Sequence, residues 1–213
     1  MEQENIILHT EEMVREQLLN EKSGHDWYHI ERVTKTARKL AKEENANLFI
    51  VTIAALLHDL ADDKVVESEE QGLATIQNWL ESQKVMEEDI QHIISIIKHM
   101  SFKGGNGIPL RTIEGKVVQD ADRLDAIGAV GIARCFLFSG QKGQPIYDPD
   151  IEVREEMSKE QYRNEKSSAI HHFYEKLLKL KDLMNTDTGR KLAKERHQFM
   201  LQYLEQFFEE IHE

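Results

Sequence analysis

The sequence contains little that breaks helices and almost nothing that cross-links a chain. Only three of its 213 residues are proline and eleven are glycine, and stretches such as 25–71 and 150–188 contain almost none of either. This scarcity favours helices over short strands joined by turns. The single cysteine, Cys135, cannot form a disulfide within the chain, so nothing in the sequence indicates an oxidising compartment.

Long apolar runs and blocks of basic residues are also missing. No run approaches the roughly 18 apolar residues of a membrane span, and Met1–Glu4 has neither the basic region nor the apolar core of a signal peptide. We therefore expect a cytoplasmic protein without a membrane partner. The formal charge of −12, without a dense run of Lys or Arg, argues against a nucleic-acid polymer as partner. A small phosphorylated substrate is still compatible, because a bound cation and a few basic side chains neutralise it locally.

Apolar residues recur at spacings of three and four along most of the chain, which predicts an all-α fold. We expect one domain over 1–213, with a core at about 20–140 and a C-terminal extension at about 150–213 that contains two long helices. Gly128 and Gly131 are expected to mark close backbone approach to a neighbouring helix, without a break. The predicted helices cover about 27–41, 47–60, 67–82, 86–99, 113–138, 152–181 and 187–212.

The pair His58-Asp59 ends a helix that is apolar nearly all round. Burying an imidazole and a carboxylate is costly unless they are hydrogen-bonded, paired or bound to metal. The pair therefore indicates either a metal site or a satisfied buried pair. The other such pair, His25-Asp26, lies at a predicted helix start, where Asp26 is equally suited to cap the helix.

Further metal ligands are available elsewhere in the chain. His29 lies on its own predicted helix, and acids follow at Asp120, Asp122 and Asp125, of which the last two share a helical face. Mixed imidazole and carboxylate ligands suit a divalent cation that activates water. The residues alone thus indicate metal-assisted hydrolysis.

These residues resemble the ordered signature of the HD superfamily of metal-dependent phosphohydrolases: a His, a His-Asp pair and a distant Asp. The likeness is greatest to small bacterial single-domain members of the YpgQ type, and it extends through His25–Val33, Leu57–Lys64, Ser101–Gly105, Gln119–Gly128 and His172–Leu180. By this resemblance the metal ligands are His29, His58, Asp59 and Asp122. No position of the four departs from the pattern.

The resemblance implies an HD-type helical bundle and one divalent cation. We expect Mn, with Mg, Fe, Co, Ni or Zn as alternatives. It also implies that nucleoside or deoxynucleoside triphosphates are cut to the monophosphate and pyrophosphate. Asp62 and Asp63 correspond to the acidic pair of related alarmone hydrolases, so we expect one of them to orient or deprotonate the attacking water.

Four further side chains are candidates for contact with the substrate. Positive groups would stabilise the leaving pyrophosphate, and His25 lies four residues before the ligand His29. The predicted substrate contacts are His25, Arg32, Lys64 and Lys103.

Several alternatives stay open at this point. The same ligands would serve a 5'-nucleotidase-type phosphomonoesterase, or a non-catalytic module that senses a nucleotide. A helical scaffold with incidental histidines is a third reading. His92 and His99, seven residues apart, are candidate ligands of a second ion. The protein is expected to be a monomer or a homodimer.

Overall fold

A computed structural model describes residues 2–21, 24–62, 68–101, 108–154 and 166–212. Within these ranges the regular structure is entirely helical, which confirms the predicted all-α class. None of the helices described is long and apolar enough to cross a membrane. The α-helices are α1 (Glu2–Leu18), α2 (Trp27–Glu43), α3 (Leu48–Leu57), α4 (Glu69–Ser82), α5 (Glu87–Met100), α6 (Ile113–Asp125), α7 (Gly128–Gln141), α8 (Ala169–Glu175) and α9 (Asp187–His212), with 3₁₀ segments at His58–Ala61 and Leu177–Leu183.

The chain divides into two compact units, Met1–Ala121 and Asp122–Glu213. The first unit is built around α3, in which every residue except Leu48 is buried. Helices α1, α2 and α5 pack against it. The carboxamide oxygen of Asn47 caps α3 by accepting from the backbone N–H of Phe49 at 3.0 Å. The apolar run therefore forms a short central helix that ends at the 3₁₀ segment beginning with His58.

Helix α1 was not predicted, because its apolar stripe is narrow. Its buried positions are Ile6, Thr10, Val14 and Leu18, which recur every four residues and include a polar side chain. The hydroxyl of Thr10 donates to the carbonyl of Ile6 at 2.8 Å, so its proton is satisfied within the helix. The stripe that packs α1 on α3 was readable from this spacing of four.

Gly72 lets α4 lie directly against the 3₁₀ segment that follows α3. A Cβ at this position would lie 2.6 Å from the carbonyl oxygen of Leu60 and 2.7 Å from the Cα of Ala61. Both are backbone atoms, which cannot swing aside as a flexible side chain would. The close approach therefore fixes the segment His58–Ala61 against α4.

The helix predicted over 113–138 is interrupted. Helix α6 ends at Asp125 and α7 begins at Gly128, which has a φ of +76°. This left-handed conformation is strained for any residue with a side chain, so the glycine permits the break that we had not expected. A Cβ on Gly128 would also lie 3.0 Å from the side chain of Arg196 on α9, so this glycine makes room for a side chain of a neighbouring helix and not for its backbone.

The second unit contains the long C-terminal helix α9, which packs on α7 and on the second 3₁₀ segment. Aromatic side chains occupy its interior: Phe173 is fully buried and stacks on Tyr203 with a centroid separation of 5.9 Å. The helix predicted at about 152–181 is shorter where it is described. Residues 152–154 and 166–168 are not helical, and α8 begins at Ala169 because the hydroxyl of Ser168 accepts from the backbone N–H of His171.

Candidate metal centre

His29 lies on the buried face of α2, close to the start of that helix. It is 0% exposed. Asp26 is the N-cap, and its carboxylate accepts from the backbone N–H of His29 at 2.8 Å. The cap reading of Asp26 is thus the one that the structure supports. The cap orients the first turn of α2, which holds the imidazole of His29 toward the interior.

His58 and Asp59 lie in the 3₁₀ segment at the end of α3. The last carbonyls of an α-helix have no intrahelical donor, and Ala55 is one of them: its oxygen lies 2.7 Å from Nδ1 of His58. A carbonyl only accepts, so Nδ1 of His58 is the donor. The neutral ring then carries its lone pair on Nε2, as required of a metal ligand whose other nitrogen is held by a supporting hydrogen bond.

Three side chains converge in the first unit. Nε2 of His29 lies 3.3 Å from Nε2 of His58, and Nε2 of His58 lies 3.2 Å from Oδ1 of Asp59. Nε2 of His29 lies 3.4 Å from Oδ2 of Asp59. Two ring nitrogens and one carboxylate therefore face a common volume.

These separations fit the coordination of a divalent cation. With metal–ligand bonds of about 2.1 Å, neighbouring ligand atoms lie about 3.0 Å apart in octahedral and about 3.4 Å apart in tetrahedral geometry. The three measured separations fall within this range, with Oδ1 of Asp59 near His58 and Oδ2 of the same carboxylate near His29. Burial also favours a cation, because His58 is 6% and Asp59 3% exposed and a carboxylate is costly to bury without a positive partner. Within the described ranges this is the only group of three or more such residues close enough to hold one ion.

The fourth predicted ligand, Asp122, is the first residue of the second unit and is half-buried on α6. Its place in the metal site stays a prediction. Its competitor Asp125 is committed elsewhere: Oδ2 accepts from a guanidinium nitrogen of Arg134 at 3.0 Å, and the carboxylate side chain is 6% exposed. Pairing with Arg134 therefore accounts for the buried carboxylate of Asp125.

The predicted catalytic and substrate contacts are only partly described. His25 is half-buried, and its ring lies edge-on to His29 with a centroid separation of 5.7 Å. Asp62 is half-buried directly after the 3₁₀ segment, and its backbone N–H donates to the carbonyl of Asp59 at 3.1 Å. Arg32 is half-buried on α2. Asp63, Lys64 and Lys103 lie outside the described residues.

The two histidines proposed for a second ion, His92 and His99, each have a hydrogen-bond partner within the first unit. Nε2 of His92 lies 3.0 Å from the hydroxyl of Thr112 and 3.8 Å from a carboxylate oxygen of Glu114. Nδ1 of His99 donates to the carbonyl of Ser95 at 2.7 Å. These contacts account for both histidines as surface groups, and in the described part of the chain no third ligand joins them.

Comparison with known proteins follows the same signature. The model of the family described as "HD domain" matches residues 26–127, a stretch that contains all four predicted ligands. YpgQ of Bacillus subtilis (strain 168) is 46% identical over 197 residues, which cover 91% of this chain and 88% of that protein.

Solved structures agree with the sequence match. A Lactobacillus plantarum protein has a TM-score of 0.87 at 44% identity and covers 97% of each chain. B. subtilis YpgQ in complex with ADP has a TM-score of 0.78 at 45% identity, covering 96% of this chain and 97% of that one. An HD-superfamily hydrolase from Bacillus thuringiensis has a TM-score of 0.77 at 47% identity, covering 100% and 99%. With the ligand geometry, this similarity over nearly the whole length shows that the chain belongs to the HD domain family.

Proposed function

We propose that this protein is a metal-dependent phosphohydrolase that cuts nucleoside or deoxynucleoside triphosphates to the monophosphate and pyrophosphate. The observation that carries the proposal is the buried group of His29, His58 and Asp59, in which the two ring nitrogens and the two carboxylate oxygens have separations of 3.2 to 3.4 Å that suit a divalent cation. Three protein ligands, or four with Asp122, leave open positions for water and a phosphoryl oxygen.

Two relatives support the substrate class. One solved relative is described as an HD-superfamily hydrolase, and YpgQ was crystallised with ADP. A nucleotide bound by a protein 46% identical to this chain favours a nucleotide as the substrate here.

The residues of the chain have separate roles in this proposal. A divalent cation, for which we propose Mn, supplies activation of water and polarisation of a phosphoryl oxygen when bound. The hydrogen bond from Nδ1 of His58 to the carbonyl of Ala55 orients the ring so that Nε2 faces His29 and Asp59. Asp62 follows the ligand Asp59 by three residues and is tied to it through the backbone, so its carboxylate is the candidate to orient the attacking water and accept its proton. Asp63 is the alternative for the same role.

The remaining predicted contacts serve the substrate. His25 packs beside His29 and is proposed to contact a phosphate oxygen from that side. Arg32, Lys64 and Lys103 are proposed to stabilise the negative charge of the leaving pyrophosphate. A cytoplasmic location and a monomeric or homodimeric state stay predictions.

The decisive experiment incubates the Mn-loaded protein with a panel of nucleoside tri-, di- and monophosphates and resolves the products. Release of pyrophosphate from triphosphates is expected. Release of orthophosphate instead would favour a phosphomonoesterase. Binding without turnover would favour a nucleotide-sensing module, and purified protein without stoichiometric metal would favour a scaffold.

Asp122→Asn tests the fourth ligand in the same assay. The substitution keeps the volume but removes the charge, so turnover should fall by at least about 100-fold if Asp122 holds the cation. Asp182→Asn is the matched control, because that side chain is exposed and forms a surface ion pair with the neighbouring Lys181 at 3.4 Å. Equal turnover by the two variants would remove Asp122 from the site.

A further inference from the structure

Helix α2 carries a row of basic side chains on the face opposite the one that carries His29. An α-helix turns by about 100° per residue, so Arg38, nine residues after His29, lies about 180° around the axis from it. Lys35, Arg38, Lys39 and Lys42 follow one another at the spacing of one helical stripe, and all four are exposed. The stripe is therefore separate from the metal centre on the same helix.

These cations stand at a cavity of about 410 Å³ between α1, α2 and α3. Its buried floor comes from Trp27, Thr34, Thr52 and Leu56. Its volume lies in the range of small-molecule sites, about 300 to 1,000 Å³. None of the metal ligands lines it.

The charge around the cavity is unbalanced. Four cations line it against two carboxylates, those of Glu11 and Glu31. Like charges three and four residues apart destabilise a helix, and no carboxylate of the described residues lies within ion-pair distance of any of the four. In the second unit, by contrast, Arg154 pairs with Glu175 at 2.7 Å and Arg190 with Asp187 at 2.6 Å. A positive cleft in a protein of net charge −12 is a local exception that an anionic ligand would neutralise.

The floor of the cavity offers a hydrogen-bond donor as well. Buried threonines in helices commonly donate to the carbonyl four residues earlier, as Thr10 does to Ile6 at 2.8 Å and Thr52 to Leu48 at 2.6 Å. Thr34 is only 8% exposed, and its buried hydroxyl has no hydrogen-bond partner among the described residues. An oxygen of a ligand in the cavity would provide that partner.

From these observations we infer that the cleft between α1, α2 and α3 binds a small molecule carrying two or more phosphate groups, independently of the metal centre. Lysine and arginine are the usual phosphate-binding side chains. A small ligand fits better than a nucleic acid, because the site is a cavity on an otherwise acidic protein and a polyanion would extend over surface that repels it.

The test uses methylenediphosphonate, whose P–C–P link resists hydrolysis, and the protein in excess Mg²⁺. The chain has two tryptophans. Trp27 lines the cavity, whereas the indole N–H of Trp79 donates to Thr10 at 3.1 Å outside it. Saturable movement of the Trp27 indole signal in an NMR titration is expected, with the Trp79 signal unmoved.

Matched variants locate the binding. Arg38→Gln/Lys39→Gln should raise the dissociation constant by about tenfold or more, since each charge-assisted contact contributes about that factor to affinity. Turnover of nucleotides should stay unchanged in this variant. Lys191→Gln/Lys194→Gln removes two exposed charges from α9 that are not among the residues lining the cavity, and it should change neither quantity. His58→Ala should retain binding in the cleft.

Each of the following results would overturn the inference. The first is a Trp27 signal that does not move, or equal dissociation constants for the two double variants. The second is loss of binding in His58→Ala, which would place the diphosphonate at the metal centre. The third is a 20-base-pair DNA duplex that moves the Trp27 signal at lower concentration than the diphosphonate does.

Discussion

Two buried histidines, one in each unit, use their ring nitrogens differently. In the second unit, Nε2 of His171 donates to the carbonyl of Ile151 at 2.6 Å, and Nδ1 accepts from the hydroxyl of Ser168 at 2.6 Å. In the first unit only Nδ1 of His58 is held by a backbone carbonyl, and Nε2 faces another imidazole and a carboxylate. The partners of His171 are thus a backbone carbonyl and a hydroxyl, whereas Nε2 of His58 faces two side chains that are themselves candidate metal ligands.

The contrast shows that burial by itself does not identify a site. His171 is 4% exposed and His58 is 6% exposed, so burial alone would rank them together. The closed hydrogen bonds of His171 join the irregular segment at Ile151 to the start of α8, and its ring stacks on Tyr147 at 5.6 Å. What distinguishes a metal site is a buried polar atom that converges with others on one point.

The largest expected effect comes from replacing His58 and His171 by alanine in two separate variants. His58→Ala should lower metal affinity by at least about 100-fold, since it removes a ligand and not merely a supporting partner, and turnover should fall with it. His171→Ala should lower the free energy of unfolding by about 1–3 kcal/mol, because Ile151 loses a buried donor. Metal analysis and urea unfolding check both. Loss of metal from His171→Ala would abolish the contrast.

A smaller effect is expected at Gly72, where the absence of a side chain lets α4 lie directly against the segment His58–Ala61. In Gly72→Ala the added methyl would meet the carbonyl of Leu60, adjacent to Asp59, so the segment has to shift. We expect a loss of about 1–3 kcal/mol in unfolding free energy, with weaker metal binding. Gly140→Ala is the control: nothing lies within 4 Å of its Cβ position on exposed helix, and the change should be neutral or stabilise by up to about 1 kcal/mol.

The cap of α2 is expected to matter less. Asp26→Ala removes the acceptor of the His29 backbone N–H and should lower the free energy of unfolding by about 1 kcal/mol. Asp26→Asn keeps an oxygen in the same place and should retain most of that stability. Urea midpoints at constant slope measure both variants. Equal losses in the two would mean that the carboxylate charge, and not the cap, is what counts.

The smallest effect concerns Cys135, another closed group of the second unit. Burial raises the pKa of its thiol from 9.0 to about 12. The folded state therefore disfavours the thiolate, so this group's contribution to stability is full below about pH 9 and is lost as the pH rises toward 12. Native protein at pH 8 should resist iodoacetamide, whereas protein unfolded in urea should be labelled. Mass spectrometry measures the labelling. Rapid labelling of the native protein would show that the Cys135 thiol is accessible to solvent in the folded state.

Much of the fold follows from short-range patterns, because helical periodicity is visible within one segment. The predicted start of α2 near Trp27 and the buried α3 are present. Where the prediction fails, a single residue decides the outcome: Gly128 allows a left-handed turn between α6 and α7, and Ser168 starts a new helix. Helix α1 is absent from the prediction because only a narrow stripe along one side of it is buried.

The basic cleft is a feature that the sequence did not predict, although its residues are adjacent in the structure. Along the chain, Lys35, Arg38, Lys39 and Lys42 are separated by Thr36, Ala37, Leu40 and Ala41, so they do not form a dense basic run. The helix gathers them on one face, and packing against α1 and α3 turns that face into a cavity wall. Neither step is readable from composition.

The sequence by itself determined the helical class and which residues are candidate metal ligands, since the His-Asp pair at the end of an apolar helix and the separate His29 can be read directly from the chain. Only the tertiary structure decided that Nε2 of His29 reaches within 3.3 Å of His58, and that Asp125 is occupied by Arg134. The reason is physical: periodicity records which face of a helix is buried, whereas the distance between residues 29 positions apart depends on how separate helices pack.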